Sequence, residues 1–554
     1  MNVIAAIPVD LETTPLGTRS HLGSELLGRS VLRRTVERVT RAREVSATTV
    51  MCPHDQTERC RALLEGTCAD VQPFEAVKAP WTSLVRAARK WALDGWRGGI
   101  GGTTWFDEYV DCRVLAGLLE NKEADALLAV PPAAAAFDPA LADRMIGHRR
   151  ALAEQTRMVF CQAPPGIAGL VLDADLIREV GRQNVPIGWI FTYKPDNPLK
   201  DLIFQPACFD LPAEVRHAAG RLIVDTERAM RAVSALLRDH PDPDALATGR
   251  WLQRRERDTI EPLPREVEIE LTTDDPYPDA VLRPRGDRVG RRGPIEVEAV
   301  RKIAGELSRF DDSLVVLGGF GEPLRHPQFE AVLDALRPGG ADEDERGVYG
   351  LCVRTAGVDL DELKIASIIA HQVDVLNVVL DAWTPELYGQ VQSPGDPARA
   401  QLEDVLARIE RVSALRQERH TVRPIVVPEL TKARENLHEL DAFHDGWLRR
   451  VGAVCISGYS HRAGQIEDRS VMNMAPPGRS ACRRLRSRCV VLADGRVTVC
   501  DQDFRGLHTV GDLNEQSLEA IWAGDDFERL RRAHRTNSLC SVTLCPSCDE
   551  WHRP

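Results

Sequence analysis

Short apolar runs alternate with amphipathic helical patterns through the first part of the chain. The runs NVIAAI, ATTVM, DALLAV and RMVFCQ have the length of buried strands, and LLGRSVLRRTVERVTRA has the spacing of a helix. Alternation of this kind is typical of helices packed on a mainly parallel sheet. The pattern therefore predicts an α/β layer domain over residues 1–245.

A polar, charged stretch with prolines near its ends follows, and it predicts a linker over residues 246–265. The alternation then restarts with six strand candidates separated by helical patterns: VEIEL, LVVLG, GLCVR, VDVLNVVL, RPIVV and AVCIS. Six strands joined by helical crossovers predict a partial (β/α)6 barrel over residues 266–470. Ligands of such a barrel gather at the C-terminal ends of its strands.

The pattern changes again near residue 471, where short strands, an Asp494-Gly495 turn and a group of cysteines predict a small third domain over 471–554. Six of the 14 cysteines of the chain lie in this last segment: Cys482, Cys489, Cys500, Cys540, Cys545 and Cys548. The other eight are scattered through strand-like and helical stretches, which favours buried inert thiols.

Composition narrows the function classes. A chain of 554 residues with 43% hydrophobic and 28% charged residues is typical of a globular protein of several domains. No apolar run is long enough to cross a bilayer, and the first residues, MNVIAAIPVD, lack the basic region of a secretory signal, so we expect a cytoplasmic protein. The net charge of −12 argues against nucleic acid and anionic membranes as partners.

The cysteine spacing predicts a metal site in the last domain. A hairpin turning at Asp494-Gly495 brings the start of its first strand near Cys500, and the Cys545-x2-Cys548 pair closes a small ring around one metal. The thiolates of Cys482, Cys500, Cys545 and Cys548 can therefore converge. Four thiolates suit an iron–sulfur cluster or tetrahedral zinc, and the spacing leaves both open.

A resemblance bears on that choice. Cys482, the Gly495-x4-Cys500 hairpin, TVGDLNEQSLEAIW, FERLRRAH and Cys545-x2-Cys548 resemble the SPASM domain, the auxiliary iron–sulfur module that follows many radical S-adenosylmethionine (SAM) barrels. The resemblance implies one [4Fe-4S] cluster on the four cysteines, with zinc as the alternative and Cys489 and Cys540 as extra thiols. Trp522 and Leu530 are interpreted as helix core.

The second domain resembles the radical SAM barrel. In LVVLGGFGEPLRHPQFEAVLDAL, the residues Gly321, Glu322 and Pro323 match the GEP motif that receives the amino group of SAM, although Glu322 could equally be a solvated acid in a turn. The CxxxCxxC positions that would hold the radical-forming cluster carry Asp275, Asp279 and Leu282. Carboxylates and an aliphatic side chain are poor ligands for such a cluster, so we expect no SAM cleavage. Binding of SAM without cleavage stays open.

The first domain resembles sugar nucleotidyltransferases, including cytidylyltransferases that act on acidic sugars. Gly17, Thr18 and Arg19 in IPVDLETTPLGTRSHLGSELLGRSVLRRTVERV fit the loop that contacts the triphosphate. Glu25 lies near the position of the lysine of that family, and Ala133 at that of a magnesium-binding Asp, whereas Asp138 is interpreted as a helix cap before Pro139. The resemblance implies a nucleotide or nucleotide sugar as partner. The segment WRGGIGGTTWFDEY adds a glycine loop and the acidic pair Asp107-Glu108, which a tight turn beside a solvated helix start explains equally well.

These observations favour a [4Fe-4S] SPASM protein whose barrel no longer cleaves SAM, fused to a nucleotidyltransferase-like domain, with a binding, scaffold or electron-transfer role. Two alternatives stay open at this point. One is a nucleotidyltransferase acting on a sugar or sugar acid, and the other is a zinc-stabilised structural protein.

Overall fold

The computed structural model describes residues 1–75, 78–98, 100–120, 122–338, 347–392 and 398–553. The chain divides into two compact units, Met1–Thr259 and Ile260–Pro554. Each unit is built of helices and a sheet that contains parallel strands, which confirms the predicted α/β fold class. No described helix is both long and apolar enough to cross a bilayer.

The first unit contains a seven-stranded sheet in the order β5-β4-β1-β6-β8-β7-β9 and a two-stranded β2-β3 ribbon. Strands β5, β4, β1 and β6 are parallel, whereas β8 is antiparallel to β6 and β7. The strands are β1 Val3–Pro8, β2 Glu25–Leu26, β3 Arg29–Ser30, β4 Ala47–Pro53, β5 Asp70–Phe74, β6 Ala126–Ala129, β7 Met158–Cys161, β8 Leu170–Asp173 and β9 Cys208–Phe209.

The helices of this unit cover the sheet. They are α1 Val31–Val39, α2 Thr57–Leu63, α3 Thr82–Arg89, α4 Phe106–Tyr109, α5 Cys112–Glu120, α6 Pro139–Ala151, α7 Ala174–Gln183, α8 Ala213–Arg216, α9 Glu227–Asp239 and α10 Ala245–Asp258. Helix α1 begins later than the sequence pattern predicts, because Leu27 and Gly28 adopt positive φ in a tight turn between β2 and β3. Ser30 then caps α1 by accepting the N–H of Arg33.

Helix α10 occupies the first part of the predicted linker. Asp244 caps it by accepting the N–H of Ala247 at 2.7 Å, and Trp251 and Leu252 are buried in the core of the first unit. The charged residues around these two apolar side chains gave the segment the composition of a linker. The boundary between the compact units therefore falls at 259/260, after the helix.

The second unit contains a nine-stranded sheet in the order β15-β14-β13-β12-β11-β10-β16-β17-β18. Strands β10 to β15 are parallel and stand in chain order, as in a partial (β/α)6 barrel, and each of the six lies on a predicted strand. The strands are β10 Glu266–Glu270, β11 Leu314–Gly318, β12 Gly350–Thr355, β13 Val375–Val379, β14 Ile425–Lys432, β15 Cys455–Gly458, β16 Arg488–Val491, β17 Arg496–Thr498 and β18 Thr509–Asp512.

The helices of the second unit are α11 Val297–Leu307, α12 Phe329–Leu336, α13 Glu362–Ala370, α14 Pro385–Val391, α15 Ala398–Glu418, α16 Leu440–Val451, α17 Arg484–Ser487, α18 Leu518–Ala523 and α19 Asp525–Arg535. Strand β16 pairs in parallel with β10, so the C-terminal segment extends the barrel sheet. Trp522 packs in the same core as the barrel strands, as predicted, and its Nε1 donates to the carbonyl of Glu261 at 2.8 Å. The contacts thus join 471–554 to the barrel in one unit.

Candidate metal centre

The four candidate cysteines lie on three separate pieces of the C-terminal segment. Cys482 comes just before α17, and Cys500 follows β17, the second strand of the predicted hairpin. Gly495 makes that hairpin turn at φ +89°, and a Cβ there would lie 2.5 Å from the amide of Asn514. Cys545 and Cys548 stand at the start and just beyond the end of a short 3-10 turn, where the N–H of Cys548 donates to the carbonyl of Cys545 at 3.2 Å.

The four thiols are electrostatic neighbours. Burial raises the pKa of all four, to about 11 for Cys545 and about 12 for Cys548. The charge of Cys482 adds to the pKa rise of each of the other three, so Cys482 lies within reach of them all. Thiols with raised pKa values are protonated at neutral pH, and a metal that binds here must displace protons.

Arginine side chains surround this group. Arg479 donates to the carbonyls of Cys545 and Cys548, at 2.6 and 3.3 Å. Arg484 is buried, donates to Asp501 at 2.5 Å, and has its pKa raised by the charges of Asp501, Cys500 and Cys482. Asp501 also pairs with Arg462, and these arginines lower its pKa strongly despite its burial. Arg484 opposes the rise in pKa of Cys482, Cys500 and Cys548, and its positive charge would offset part of the negative charge of four thiolates.

His534 of α19 lies against this group, although nothing in the sequence distinguishes it. Its Nδ1 accepts the backbone N–H of Cys482 at 3.3 Å. Its Nε2 is buried and has no hydrogen-bond partner among the described residues, and the same is true of Nε of Arg479 and Nε of Arg484. Buried polar atoms without partners next to four thiols fit a site that gains acceptors when it is loaded.

The four thiols fit a metal centre by their chemistry and their proximity to one another. Among the described residues, no three or more His, Cys, Asp or Glu side chains already stand in the arrangement that holds a metal ion. The two extra cysteines differ in their surroundings. Cys489 lies on β16 inside the core, where burial raises its pKa to about 12, and Cys540 is exposed.

The barrel loop after β10 is closed by ion pairs where the radical SAM family would place its cluster. Asp275 pairs with Arg285 at 2.9 Å and accepts the N–H of Tyr277 at 2.8 Å. Asp279 is exposed, and Leu282 is buried in the core. The hydroxyl of Tyr277 bonds that of Tyr388 on α14 at 2.8 Å. Side-chain contacts therefore hold the loop at Asp275 and Leu282, two of the three positions that align with cluster cysteines in the radical SAM family.

The GEP segment forms a tight, buried turn after β11. Gly321 packs so closely that a Cβ would lie 2.2 Å from the carbonyl of Thr272. Glu322 is 1% exposed, so its interpretation as a solvated acid is wrong. Its carboxylate accepts the hydroxyl of Thr355 at 2.7 Å and the N–H groups of Ala356 and Leu324 at 2.8 and 3.2 Å. Pro323 starts the 3-10 turn that follows. Contact of these residues with SAM stays a prediction.

Burial raises the pKa of Glu322 from 4.5 to about 7, in spite of its hydrogen bonds. The folded chain then holds this proton more tightly than the unfolded chain, so its contribution to stability is complete below pH 4.5 and is lost as the pH rises through about 7. At 1.36 kcal/mol per pKa unit the loss is roughly 3 kcal/mol. We expect urea denaturation at pH 4.5 and 7.5 to show this extra loss in the wild type and not in Glu322→Gln. Equal losses in the two proteins would contradict the shifted pKa.

The loop that resembles a triphosphate site is tied into the first unit. Gly17 has φ +83°, and a Cβ there would lie 2.7 Å from the guanidinium of Arg86. The hydroxyl of Thr18 donates to the carbonyl of Asp225 at 2.8 Å, whereas Arg19 is exposed. Glu25 is exposed and Ala133 is buried in the core. Binding of a nucleotide by Gly17, Thr18 and Arg19 stays a prediction.

Asp138 is a helix cap, as predicted. It is buried at the start of α6 and accepts the N–H groups of Ala140 and Leu141 at 2.9 and 3.1 Å. Its second oxygen accepts the N–H of Ala245 at 2.8 Å, which fastens the start of α10 to α6. All of these interactions are structural.

A buried ionic network in the first unit was not predicted from the sequence. Glu108 is fully buried and pairs with Arg89 at 2.7 Å and with Arg221 at 2.6 Å. Arg221 also pairs with Asp225, which accepts the hydroxyl of Tyr109 at 2.8 Å. The interpretation of Asp107-Glu108 as a solvated helix start is therefore wrong, since both carboxylates are buried.

A family model matches the candidate metal centre. The SPASM model, described as an iron-sulfur cluster-binding domain, matches residues 482–549 and so includes the four candidate ligands. This match confirms the resemblance predicted for the C-terminal segment. An uncharacterized protein of Treponema pallidum is 26% identical to this chain over 266 residues, which are 46% of this chain and 67% of that protein.

Several solved structures are similar to parts of this chain. BtrN in complex with AdoMet and 2-DOIA is 16% identical with a TM-score of 0.36, over 52% of this chain and 93% of BtrN. SuiB of Streptococcus suis bound to precursor peptide SuiA is 12% identical with a TM-score of 0.38, over 52% and 71% of the two chains. A cytidylyltransferase of Leptospira borgpetersenii is 10% identical with a TM-score of 0.32, over 46% and 94%.

Proposed function

We propose that this chain is an iron–sulfur protein in which Cys482, Cys500, Cys545 and Cys548 together hold one [4Fe-4S] cluster. The observation that carries the proposal is that four half-buried thiols, with Cys482 within electrostatic reach of the other three, lie inside the segment matched by an iron–sulfur domain model. Four thiolates are the usual ligand set of such a cluster. The cluster would supply one-electron redox chemistry to a binding, scaffold or electron-transfer role.

The four thiolates alone do not distinguish iron from zinc, because they suit both metals. The preference for iron comes from the rest of the segment. The residues between the cysteines, GDLNEQSLEAIW above all, belong to the matched SPASM segment and are not needed by a simple zinc ribbon. The arginines Arg479 and Arg484 would offset the net negative charge of either a [4Fe-4S] cluster or a zinc ion held by four thiolates, so they suit both metals. Zinc in place of iron in the purified protein is the outcome that would reject this part of the proposal.

The barrel, in this proposal, no longer cleaves SAM. The support is the loop after β10, where Asp275 is paired with Arg285 and Leu282 is packed in the core. Neither side chain can replace a thiolate on an iron–sulfur cluster. The barrel would then serve as a scaffold that carries the C-terminal segment on the edge of β10.

We expect no 5′-deoxyadenosine when the cluster-loaded protein is incubated with SAM and a strong reductant. The reason is that the only cluster expected in this chain has four cysteine ligands, whereas SAM cleavage needs an iron that is free to bind SAM. Liquid chromatography of the reaction mixture, with an active radical SAM enzyme run in parallel, is the measurement. Formation of 5′-deoxyadenosine in more than one turnover would show that the barrel is still active.

A nucleotide or nucleotide sugar is the proposed partner of the first unit, on the resemblance of the Gly17-Thr18-Arg19 loop. We expect binding without nucleotidyl transfer. Glu25 brings a negative charge near the position of a phosphate-binding lysine, and the alanine methyl of Ala133 cannot bind magnesium. Losing such groups costs several kcal/mol of transition-state stabilisation, so release of pyrophosphate from CTP with Mg²⁺ and an acidic sugar should not exceed the rate without protein. Turnover at an ordinary enzymatic rate would instead support the alternative of a nucleotidyltransferase.

A further inference from the structure

The imidazole of His534 has one satisfied and one unsatisfied nitrogen, and both belong to the candidate metal centre. Its Nδ1 accepts the backbone N–H of Cys482 at 3.3 Å. A neutral imidazole has one N–H, and the nitrogen that accepts a hydrogen bond is the one without it. The proton of His534 is therefore on Nε2, which is buried and has no acceptor among the described residues.

The position of His534 limits which acceptor could serve. His534 is 6% exposed, on α19, and Arg479 acts on it electrostatically. The same Arg479 donates to the carbonyls of Cys545 and Cys548. His534 thus contacts Cys482 directly. It is linked to the Cys545-x2-Cys548 turn through Arg479, which is near both. The acceptors that loading would add at this place are sulfur atoms.

We propose that the Nε2–H of His534 donates a hydrogen bond to a sulfur of the cluster held by the four cysteines and thereby sets its reduction potential. The inference rests on the proposed function. A hydrogen bond to cluster sulfur stabilises the more negatively charged reduced state, so it raises the potential. His534 is in this role a positioning residue for Cys482 through Nδ1 and a tuning residue through Nε2.

His534 in this role donates a hydrogen bond to sulfur and is not a fifth ligand of the cluster. Four thiolates already complete the ligand set of a [4Fe-4S] cluster, and a buried N–H without an acceptor needs a hydrogen-bond partner and not a bond to iron. A nitrogen bonded to iron gives strong ¹⁴N coupling in pulsed EPR of the reduced cluster. A hydrogen-bonded imidazole gives weak ¹⁴N coupling together with coupling to a proton that exchanges in D₂O.

The test uses the full chain loaded with its cluster. EPR-monitored redox titration compares the wild type with His534→Leu, which has no donor, and His534→Gln, which keeps an N–H donor. His508→Leu is the matched control, because His508 is an exposed histidine of the same segment. We expect a more negative midpoint potential in His534→Leu, a smaller shift in His534→Gln, and the wild-type value in His508→Leu.

Failure of the role given to His534 and failure of the proposed cluster would give different results. Absence of iron from the wild type would reject the cluster itself. A full iron content with the same potential in His534→Leu and wild type, or strong ¹⁴N coupling, would overturn only the role given to His534. If His534→Leu does not retain its cluster, pulsed EPR of the wild type decides, because the exchangeable proton is required by the proposal and its absence overturns it.

Discussion

Alanine in place of Cys482, Cys500, Cys545 or Cys548 is expected to abolish the iron content of the protein, one substitution at a time. A cluster with four protein ligands loses its closed coordination when one thiolate is removed. Because a cluster bound only by the folded chain adds its binding energy to folding, each substitution should also lower the melting temperature of the C-terminal segment. Iron analysis and the visible absorbance of the anaerobically purified variants are the measurements.

Cys489→Ala and Cys540→Ala are the matched controls for this series. Cys489 packs inside the core on β16, and Cys540 is exposed near the Cys545-x2-Cys548 turn. Both variants should retain the iron content of the wild type, with a small loss of stability in Cys489→Ala from the vacated volume. If a control variant lost its iron while one of the four ligand variants kept it, the ligand assignment would be wrong even with a cluster present.

The second large effect is expected in the first unit, at Glu108. Replacing Glu108 with alanine leaves the buried guanidinium groups of Arg89 and Arg221 without the carboxylate that both contact. Arg221 keeps its pair with Asp225, whereas Arg89 loses its carboxylate partner. Breaking a buried ion pair by removing one partner costs about 3–5 kcal/mol, because the remaining charge, here that of Arg89, stays buried. Hydrogen–deuterium exchange of the central strand β6 reports the opening free energy of this unit within the full chain.

Glu58→Ala provides the control for removal of a paired glutamate. Glu58 pairs with Arg61 on the surface of α2, where the two side chains are 83% and 54% exposed. Such a pair is worth no more than about 0.5 kcal/mol, so exchange in β6 should be unchanged. Equal exchange in Glu108→Ala and Glu58→Ala would mean that the network around Glu108 does not stabilise the unit.

The regular part of the fold could be predicted because its signals are local. Each barrel strand is a short run of apolar residues followed by a helical pattern, so the order of elements predicts parallel neighbours. The Asp494-Gly495 turn predicts the hairpin that carries Cys500, and the structure has it between β16 and β17. The start of α1 and the extent of α10 were missed, because a two-residue turn and two buried side chains in a charged run decided them.

The charged interior could not be predicted for a different reason. Glu108 is buried because Arg89 and Arg221 meet it from 19 and 113 residues away, and Glu322 because Thr355 and Ala356 meet it from the next strand. No local pattern marks such partners. The candidate cysteine ligands were predicted from their spacing and from the resemblance to the SPASM domain, whereas His534 had no sequence signal, since one histidine at the end of a charged helix is ordinary.

Metal and sulfide analysis of the anaerobically purified full chain tests most directly whether the C-terminal segment holds an iron–sulfur cluster. The proposed site predicts about four iron and four acid-labile sulfide ions per chain, with the broad visible absorbance of a [4Fe-4S] cluster and little zinc. One zinc ion per chain without sulfide would contradict the claim and identify a structural zinc site on the same cysteines.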